Sequence, residues 1–157
     1  MIHQELNGIL QNSQAYFERS VSGLKEEHST FMPAKDMFTT AQVIAHTAFT
    51  IDWFIEGAFD RAEGFSMDFE AHERDARAVT SLTEAMAKLT QSFDAARAKI
   101  AAQSEEALHS PLPQGPIMGG LPRMTIVAGI QEHTAHHRGA LTVYALLVGI
   151  VPPMPYM

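Results

Sequence analysis

The sequence predicts an all-α protein built as a four-helix bundle. Four stretches place apolar residues at steps of three and four, which is the spacing of a helix that packs on one side. Two of these stretches begin with capping-box spacing, and prolines follow the ends of three of them. The chain has 157 residues, of which 46% are hydrophobic, so we expect one domain, residues 1–157, with its own core.

The first predicted helix covers approximately residues 4–27. Leu10, Phe17 and Leu24 lie seven residues apart, so they share one face of a helix. Pro33 lies shortly after this stretch and cannot continue a helix. We therefore expect one amphipathic helix followed by a turn.

The second predicted helix begins near Thr39, which has capping-box spacing with Gln42. His46 occupies a position in its inward stripe where leucine or isoleucine is expected. A buried polar group without a partner costs about 1–3 kcal/mol. His46 is therefore interpreted either as a metal ligand or as a core histidine bonded to a carbonyl or to Thr50. The whole stripe comprises Val43, His46, Thr50, Trp53 and Gly57.

Residues 60–80 lose the helical period and are rich in charged side chains. Such a connection of about twenty residues is longer than most. It could run the length of the bundle or cover a site as a lid, so the direction of the third helix relative to the second stays open. His72 lies among the charges and is expected to be solvated.

The third predicted helix runs from Ser81, which has capping-box spacing with Glu84, to about Leu108. Its seam contains no residue type that binds metals, so it is expected to be a supporting helix. That seam comprises Leu82, Met86, Leu89, Phe93, Ala96 and Ile100. Residues 111–123 contain four prolines and are predicted to form a loop.

The fourth predicted helix covers approximately residues 124–149 and carries three histidines close together. His137 lies on its apolar seam, and His133 lies one turn earlier on the same side. His136 points about 100° away from His137, toward the edge of the helix. The seam comprises Val127, Ile130, Thr134, His137, Leu141, Tyr144 and Val148.

Charge and composition narrow the function classes. The formal net charge is −7 and no basic patch is present, which argues against a nucleic-acid partner. The chain has no cysteine, so protein thiolate ligands, disulfides and a cysteine nucleophile are excluded. This composition and the polar N-terminus favour a cytoplasmic protein. The longest apolar run, residues 143–151, is too short to span a bilayer, so no membrane partner is expected.

His46, His133 and His137 together suggest a metal site. Neutral imidazole is the commonest side-chain metal ligand near neutral pH. Three such ligands without a fourth leave one position for water or substrate, as in catalytic zinc sites. Two alternatives remain at this stage: three separately hydrogen-bonded histidines, or His136 replacing His137 as the partner of His133.

Several of these segments resemble the DinB-like family. The resemblance is carried by residues 41–46, AQVIAH, followed by Trp53, and by residues 132–139, EHTAHHRG, followed by VYALLVG at 143–149. It implies a four-helix bundle of the DinB-like type with zinc or nickel bound by His46, His133 and His137. Family relatives include transferases and isomerases that use low-molecular-weight thiols, and many are dimers.

The resemblance therefore implies a divalent-metal-dependent enzyme acting on a small-molecule substrate, with a low-molecular-weight thiol as a candidate cosubstrate, in a homodimer. Thr50 and Tyr144 lie one or two turns from the ligands and are candidate substrate contacts, although ordinary packing is the favoured interpretation of both. Arg138 is a candidate for an anionic substrate or for a structural carboxylate. The alternatives are a non-catalytic metal-binding or stress-associated module and a plain helical bundle whose dimer interface is its function.

Overall fold

The computed structural model of this chain describes residues 1–157 and confirms the all-α fold class. No strand forms, and the only β-type pairing is an isolated bridge between Pro111 and Pro122. A π-helical turn, Glu56–Asp60, continues the second helix. The α-helices are α1 (Ile2–Val21), α2 (Thr40–Ile55), α3 (Phe69–Ala78), α4 (Leu82–Ala101), α5 (Glu105–His109) and α6 (Ile126–Leu147).

The predicted capping residues begin their helices. The Thr39 side chain accepts a hydrogen bond from the Gln42 amide, and the Gln42 side chain accepts one from the Thr39 amide. Ser81 Oγ likewise accepts a bond from the Glu84 amide. These bonds satisfy amide groups that the first turn of a helix leaves without partners.

Three helical boundaries differ from the sequence-based expectation. Helix α1 ends at Val21, not near residue 27. The predicted third helix is divided into α4 and the short α5, because Ser104 caps a new helix by accepting a bond from the Ala107 amide. The predicted connection over residues 60–80 contains α3, which Asp68 caps through the Ala71 amide. Both caps are short polar side chains that accept a bond from an amide of the first turn and so favour the start of a helix.

Helices α2 and α4 lie side by side and run in the same direction. Lys88 pairs with Asp52 (2.8 Å), and Lys99 pairs with Asp60 (2.6 Å), so positions rise together along both helices. The connection from α2 to α4 must therefore return along the whole length of the bundle. This arrangement answers the question of direction that the sequence left open, and it places α3 along one side of the bundle.

Helix α2 also packs against α6, which runs in the opposite direction. Phe54 contacts α6 near Gly129, whereas His46 faces His137, further along α6. The core between the four long helices is filled by side chains such as Phe17, Ile44 and Phe93. None of the helices combines the length and apolar character that crossing a membrane requires.

Candidate metal centre

His46 from α2 and His133 and His137 from α6 form one cluster. Their candidate ligand atoms all lie within 4.8 Å of one another. The ring centroids are 5.1 Å apart for His46 and His133, 4.8 Å for His46 and His137, and 4.4 Å for His133 and His137. The antiparallel packing of α2 on α6 therefore brings together residues that are 87 positions apart in sequence, since 133 − 46 = 87.

The cluster has the spacing that a small divalent ion needs. The Nε2 atoms of His133 and His137 lie 3.1 Å apart. Two imidazole nitrogens that each lie about 2.0–2.1 Å from a tetrahedral zinc ion are separated by roughly 3.3 Å. The observed separation is close to this value, so the two side chains can bind one ion with little movement.

Hydrogen bonding does not account for the three imidazoles separately. No bond joins the His46 ring to a carbonyl or to Thr50, whose hydroxyl instead donates to the His46 backbone carbonyl at 2.8 Å. The Nδ1 atom of His133 is buried and has no partner in the protein. The Nε2 atoms of His133 and His137 contact only each other, and the His46 ring has no hydrogen-bond partner, so these nitrogens are free for a ligand from outside the chain.

The site keeps its histidines neutral. Burial, and then the neighbouring His137, His46 and His136, lower the pKa of His133 from 6.5 to about 3. Burial, and then His46 and His136, lower the pKa of His137 from 6.5 to about 4. Burial and then His72 lower the pKa of His46, against an opposing effect of Glu73. Neutral imidazole is the form that binds metals, so the site is prepared for an ion at neutral pH.

No carboxylate or fourth histidine joins the cluster. A metal ion bound by these three residues would therefore have a position free for a molecule from solution. Structural zinc sites are usually closed by four protein ligands, whereas catalytic zinc sites keep such a position. The residues consequently fit a catalytic type of metal site better than a structural one.

An aromatic cavity of about 230 Å³ opens beside the cluster. Side chains of α2, α3 and α6 line it, and none of them is a lysine, arginine, aspartate or glutamate. The lining of this aromatic cavity comprises His46, Phe49, Thr50, Trp53, Phe54, Phe69, His72 and His133.

A second and larger cavity, about 610 Å³, lies on another side of His133. Trp53 and Phe54 line both cavities, so they stand between them. We call it the polar cavity because, unlike the aromatic cavity, it has the charged Glu132 and the polar His136 and Thr125 in its wall, although most of the wall is apolar. The other lining residues are Ile117, Met118, Ala128 and Gly129. The cluster thus adjoins two spaces, and only the polar cavity has a charged side chain in its wall.

Of the other predicted site residues, the structure brings only Thr50 to the cluster, in the wall of the aromatic cavity. Tyr144 is buried, and its hydroxyl donates to the Phe38 carbonyl at 2.9 Å. It lies about two turns beyond His137 and lines neither cavity. Phe38 in turn packs on the His46 ring. Tyr144 therefore stabilises the position of His46 indirectly, through Phe38.

Arg138 lies on a different side of α6. Its guanidinium packs on the rings of Tyr16 and Tyr156, at 5.9 and 5.8 Å from their centroids. Adjacent residues of a helix point about 100° apart, so the neighbour of an inward-facing His137 turns toward α1 and the C-terminal segment. Arg138 has no carboxylate partner. It also lines neither of the two cavities at the cluster.

His136 is exposed and lies outside the three-histidine cluster, so it does not replace His137 there. Its ring packs edge-on against His137 with centroids 4.9 Å apart. It contributes instead to the polar cavity. The seam position of His137 was the better indicator of an inward-facing histidine.

His72 was missed as a site residue. It was expected to be solvated, yet it lines the aromatic cavity and its Nε2 atom is buried without a hydrogen-bond partner. A signal was present, because Phe69, His72, Ala76 and Val79 are spaced by three, four and three residues, which places them on one face of a helix. The surrounding charges concealed this short amphipathic pattern.

The chain is a four-helix bundle in which the second and the last long helix supply three histidines, and no further protein side chain joins them. These features define a class of helical proteins with an open candidate metal site. The sequence matches the DinB superfamily over residues 9–141, and the chain belongs to that superfamily. No significant match to a curated protein was found.

One solved structure with the same fold is that of YfiT from Bacillus subtilis. It has a TM-score of 0.71 and 13% sequence identity, and the alignment covers 94% of this chain and 88% of YfiT. YfiT is described as a probable metal-dependent hydrolase with an unusual four-helix bundle topology. The likeness confirms the bundle fold of the present chain.

Proposed function

We propose that this protein is a divalent-metal-dependent enzyme that acts on a small molecule. The observation that carries the proposal is the three-histidine cluster without a fourth protein ligand, at the junction of two cavities. His46, His133 and His137 would hold the ion, and Thr50 would contact the substrate. A bound divalent metal lowers the pKa of a thiol or water molecule in its free position and so supplies a nucleophile.

Within this proposal, the protein transfers a group to a low-molecular-weight thiol. Two adjacent cavities, of which only one has a charged side chain in its wall, suit two substrates better than they suit one substrate and a water molecule. Thiols of this kind carry charged and amide groups, which the polar cavity can meet through Glu132, His136 and Thr125. The protein has no cysteine of its own, so the sulfur nucleophile has to come from such a cosubstrate.

Metal binding is tested by adding zinc or nickel to the chelator-treated protein and measuring bound metal. We expect one equivalent per chain, with loss of binding in His133→Ala and unchanged binding in His136→Ala. The second variant is a matched control because His136 is adjacent but lies outside the cluster. Equal metal content in the wild type and His133→Ala would exclude the assigned ligands.

The nucleophile is tested separately on the metal-loaded protein. Candidate electrophiles such as haloaromatics and epoxides are supplied with and without a thiol, and thiol loss and hydrolysis products are both measured. Thiol consumption that disappears in His133→Ala supports transfer. Hydrolysis without thiol consumption would show that water is the nucleophile, and full metal binding with neither reaction would favour a non-catalytic module.

We also propose a homodimer that uses the exposed apolar side of α6. Val143, Leu146 and Leu147 share one face of the helix and each is more than half exposed. Exposed apolar patches commonly mark protein interfaces. Leu146→Glu is expected to convert a dimer to a monomer in light scattering after gel filtration, whereas Ala87→Glu, on the exposed side of α4, should leave it intact. A monomeric wild type would refute this assembly.

A further inference from the structure

The segment between α2 and α4 is held firmly against the bundle on both sides of the aromatic cavity. Phe65 packs on Trp53, with ring centroids 4.8 Å apart, and the Trp53 indole donates to the Ser66 carbonyl at 2.8 Å. At the other end, the Gln42 side chain donates to the Arg77 carbonyl at 2.9 Å. Helix α3 lies between these anchors and supplies one wall of the cavity.

Two side chains of α3 reach the aromatic cavity. Phe69 lines it although 54% of this residue is exposed, so Phe69 forms part of the rim. His72 lines it as well, and its ring makes no hydrogen bond in the protein: Nε2 is buried, whereas Nδ1 keeps an accessible surface and is the atom that a ligand can reach. An imidazole nitrogen without a partner is unfavourable, so the fold retains a polar group whose partner the chain does not supply.

The lining defines the chemistry of an occupant. Four of the side chains are aromatic rings of phenylalanine or tryptophan, which favour a planar group through stacked or edge-to-face contacts. No cationic or anionic residue type is present, so the cavity does not select a charged group. Its volume of about 230 Å³ exceeds the ~150 Å³ of an engineered apolar cavity that binds benzene.

We propose that the aromatic cavity binds a neutral aromatic substrate and that His72 makes a hydrogen bond to a polar substituent on its ring. This inference rests on the proposed function, because it names the substrate class of the same site. The aromatic ring lies among Phe49, Trp53 and Phe69, within reach of the cluster through His46 and His133, which share the cavity wall. His72 is a substrate-positioning residue that α3 adds to a site otherwise formed by α2 and α6.

The test compares two ligands of almost the same shape, 4-fluorophenol and 4-fluorotoluene, on the full-length protein. Binding is measured by the fluorine signal of the ligand and by fluorescence of Trp53, the only tryptophan in the chain and a residue of the cavity wall. We expect the wild type to bind the phenol roughly threefold to tenfold more tightly than the toluene, the usual effect of one net hydrogen bond.

His72→Phe should abolish this preference while 4-fluorotoluene still binds, and His72→Asn should restore part of it. His109→Phe is the matched control, because His109 is an exposed histidine of α5, away from the cavity, and its ring is bonded to the Glu105 carbonyl of the same helix. Equal preference for the phenol in the wild type and His72→Phe would overturn the role of His72. Failure of both ligands to bind the wild type would overturn the substrate class.

Measurements with and without zinc separate this inference from the proposed function. Aromatic binding that depends on His72 in a protein that takes up no metal would support the inference and refute the metal-dependent enzyme. One equivalent of bound metal without aromatic binding would refute the inference and leave the metal-dependent enzyme supported. Thermal unfolding of each variant shows whether a lost preference comes from a lost fold.

Discussion

Acidification of the metal-free protein should destabilise it through the buried histidine cluster. In the folded chain the pKa of His133 is about 3 and that of His137 is about 4, against 6.5 for an unperturbed imidazole. The unfolded state therefore binds protons below about pH 6.5 that the folded state does not bind. Stability must fall as pH decreases through this value, and the loss is complete only below the folded pKa values.

The size of the effect follows from those pKa values. Between about pH 8 and pH 5 each of the two imidazoles costs up to about 2 kcal/mol of unfolding free energy, at about 1.4 kcal/mol per pH unit below 6.5. Both side chains are partly exposed, and water reduces such effects. We therefore expect a combined loss of about 2 kcal/mol, half of the ideal sum.

Urea unfolding of chelator-treated protein at several pH values measures this loss. The matched variant is His133→Leu/His137→Leu, which removes both titrating groups and keeps apolar volume in their place. Its stability should vary with pH by less than half as much as that of the wild type. An equal pH dependence in the two proteins would refute the claim that burial of these imidazoles causes the loss.

Three further predictions concern the elements that hold the site in place. Gly57→Ala should cost about 1–3 kcal/mol of unfolding free energy, because an added Cβ would lie 2.2 Å from the Phe65 ring; unchanged stability in urea unfolding would contradict this close approach. Gly8→Ala should instead stabilise the protein by up to about 1 kcal/mol, since nothing lies within 4 Å of the new Cβ in the middle of α1, and a lower melting temperature would count against that account. Thr39→Ala should cost about 1 kcal/mol by removing the cap of α2, and circular dichroism melting should show the loss; a Thr39→Ser variant that melts with Thr39→Ala, rather than near the wild type, would argue against capping as the cause.

The local features of this site were readable in the sequence. The spacing of His133 and His137 places them one turn apart wherever the segment is helical. The inward position of His46 follows from the period of apolar residues on α2, and the Thr39 and Ser81 caps follow from residue type and spacing alone. These signals are local because helical geometry repeats every few residues, so a short stretch of sequence is sufficient to predict them.

Other features of the site depended on contacts between distant segments. The parallel direction of α2 and α4 follows from how the long connection packs, and pairs such as Lys88 with Asp52 reveal it only after folding. Arg138 was a candidate substrate contact, yet α1 and the C-terminal segment offer it two tyrosine rings on another side of α6. An arginine can bind an anionic substrate or pack on tyrosine rings, so only the position of its neighbours in the folded chain decides which contact Arg138 makes.

The sequence alone determined four long amphipathic helices, the caps of two of them and three inward-facing histidines, because periodicity and capping act over a few residues. The tertiary structure decided that α3 forms one wall of the aromatic cavity, that His72 joins this wall, and that two cavities meet at His133. A cavity is defined by side chains from several helices at once. Its shape and chemistry depend on packing angles and long-range contacts that no single stretch of the chain encodes.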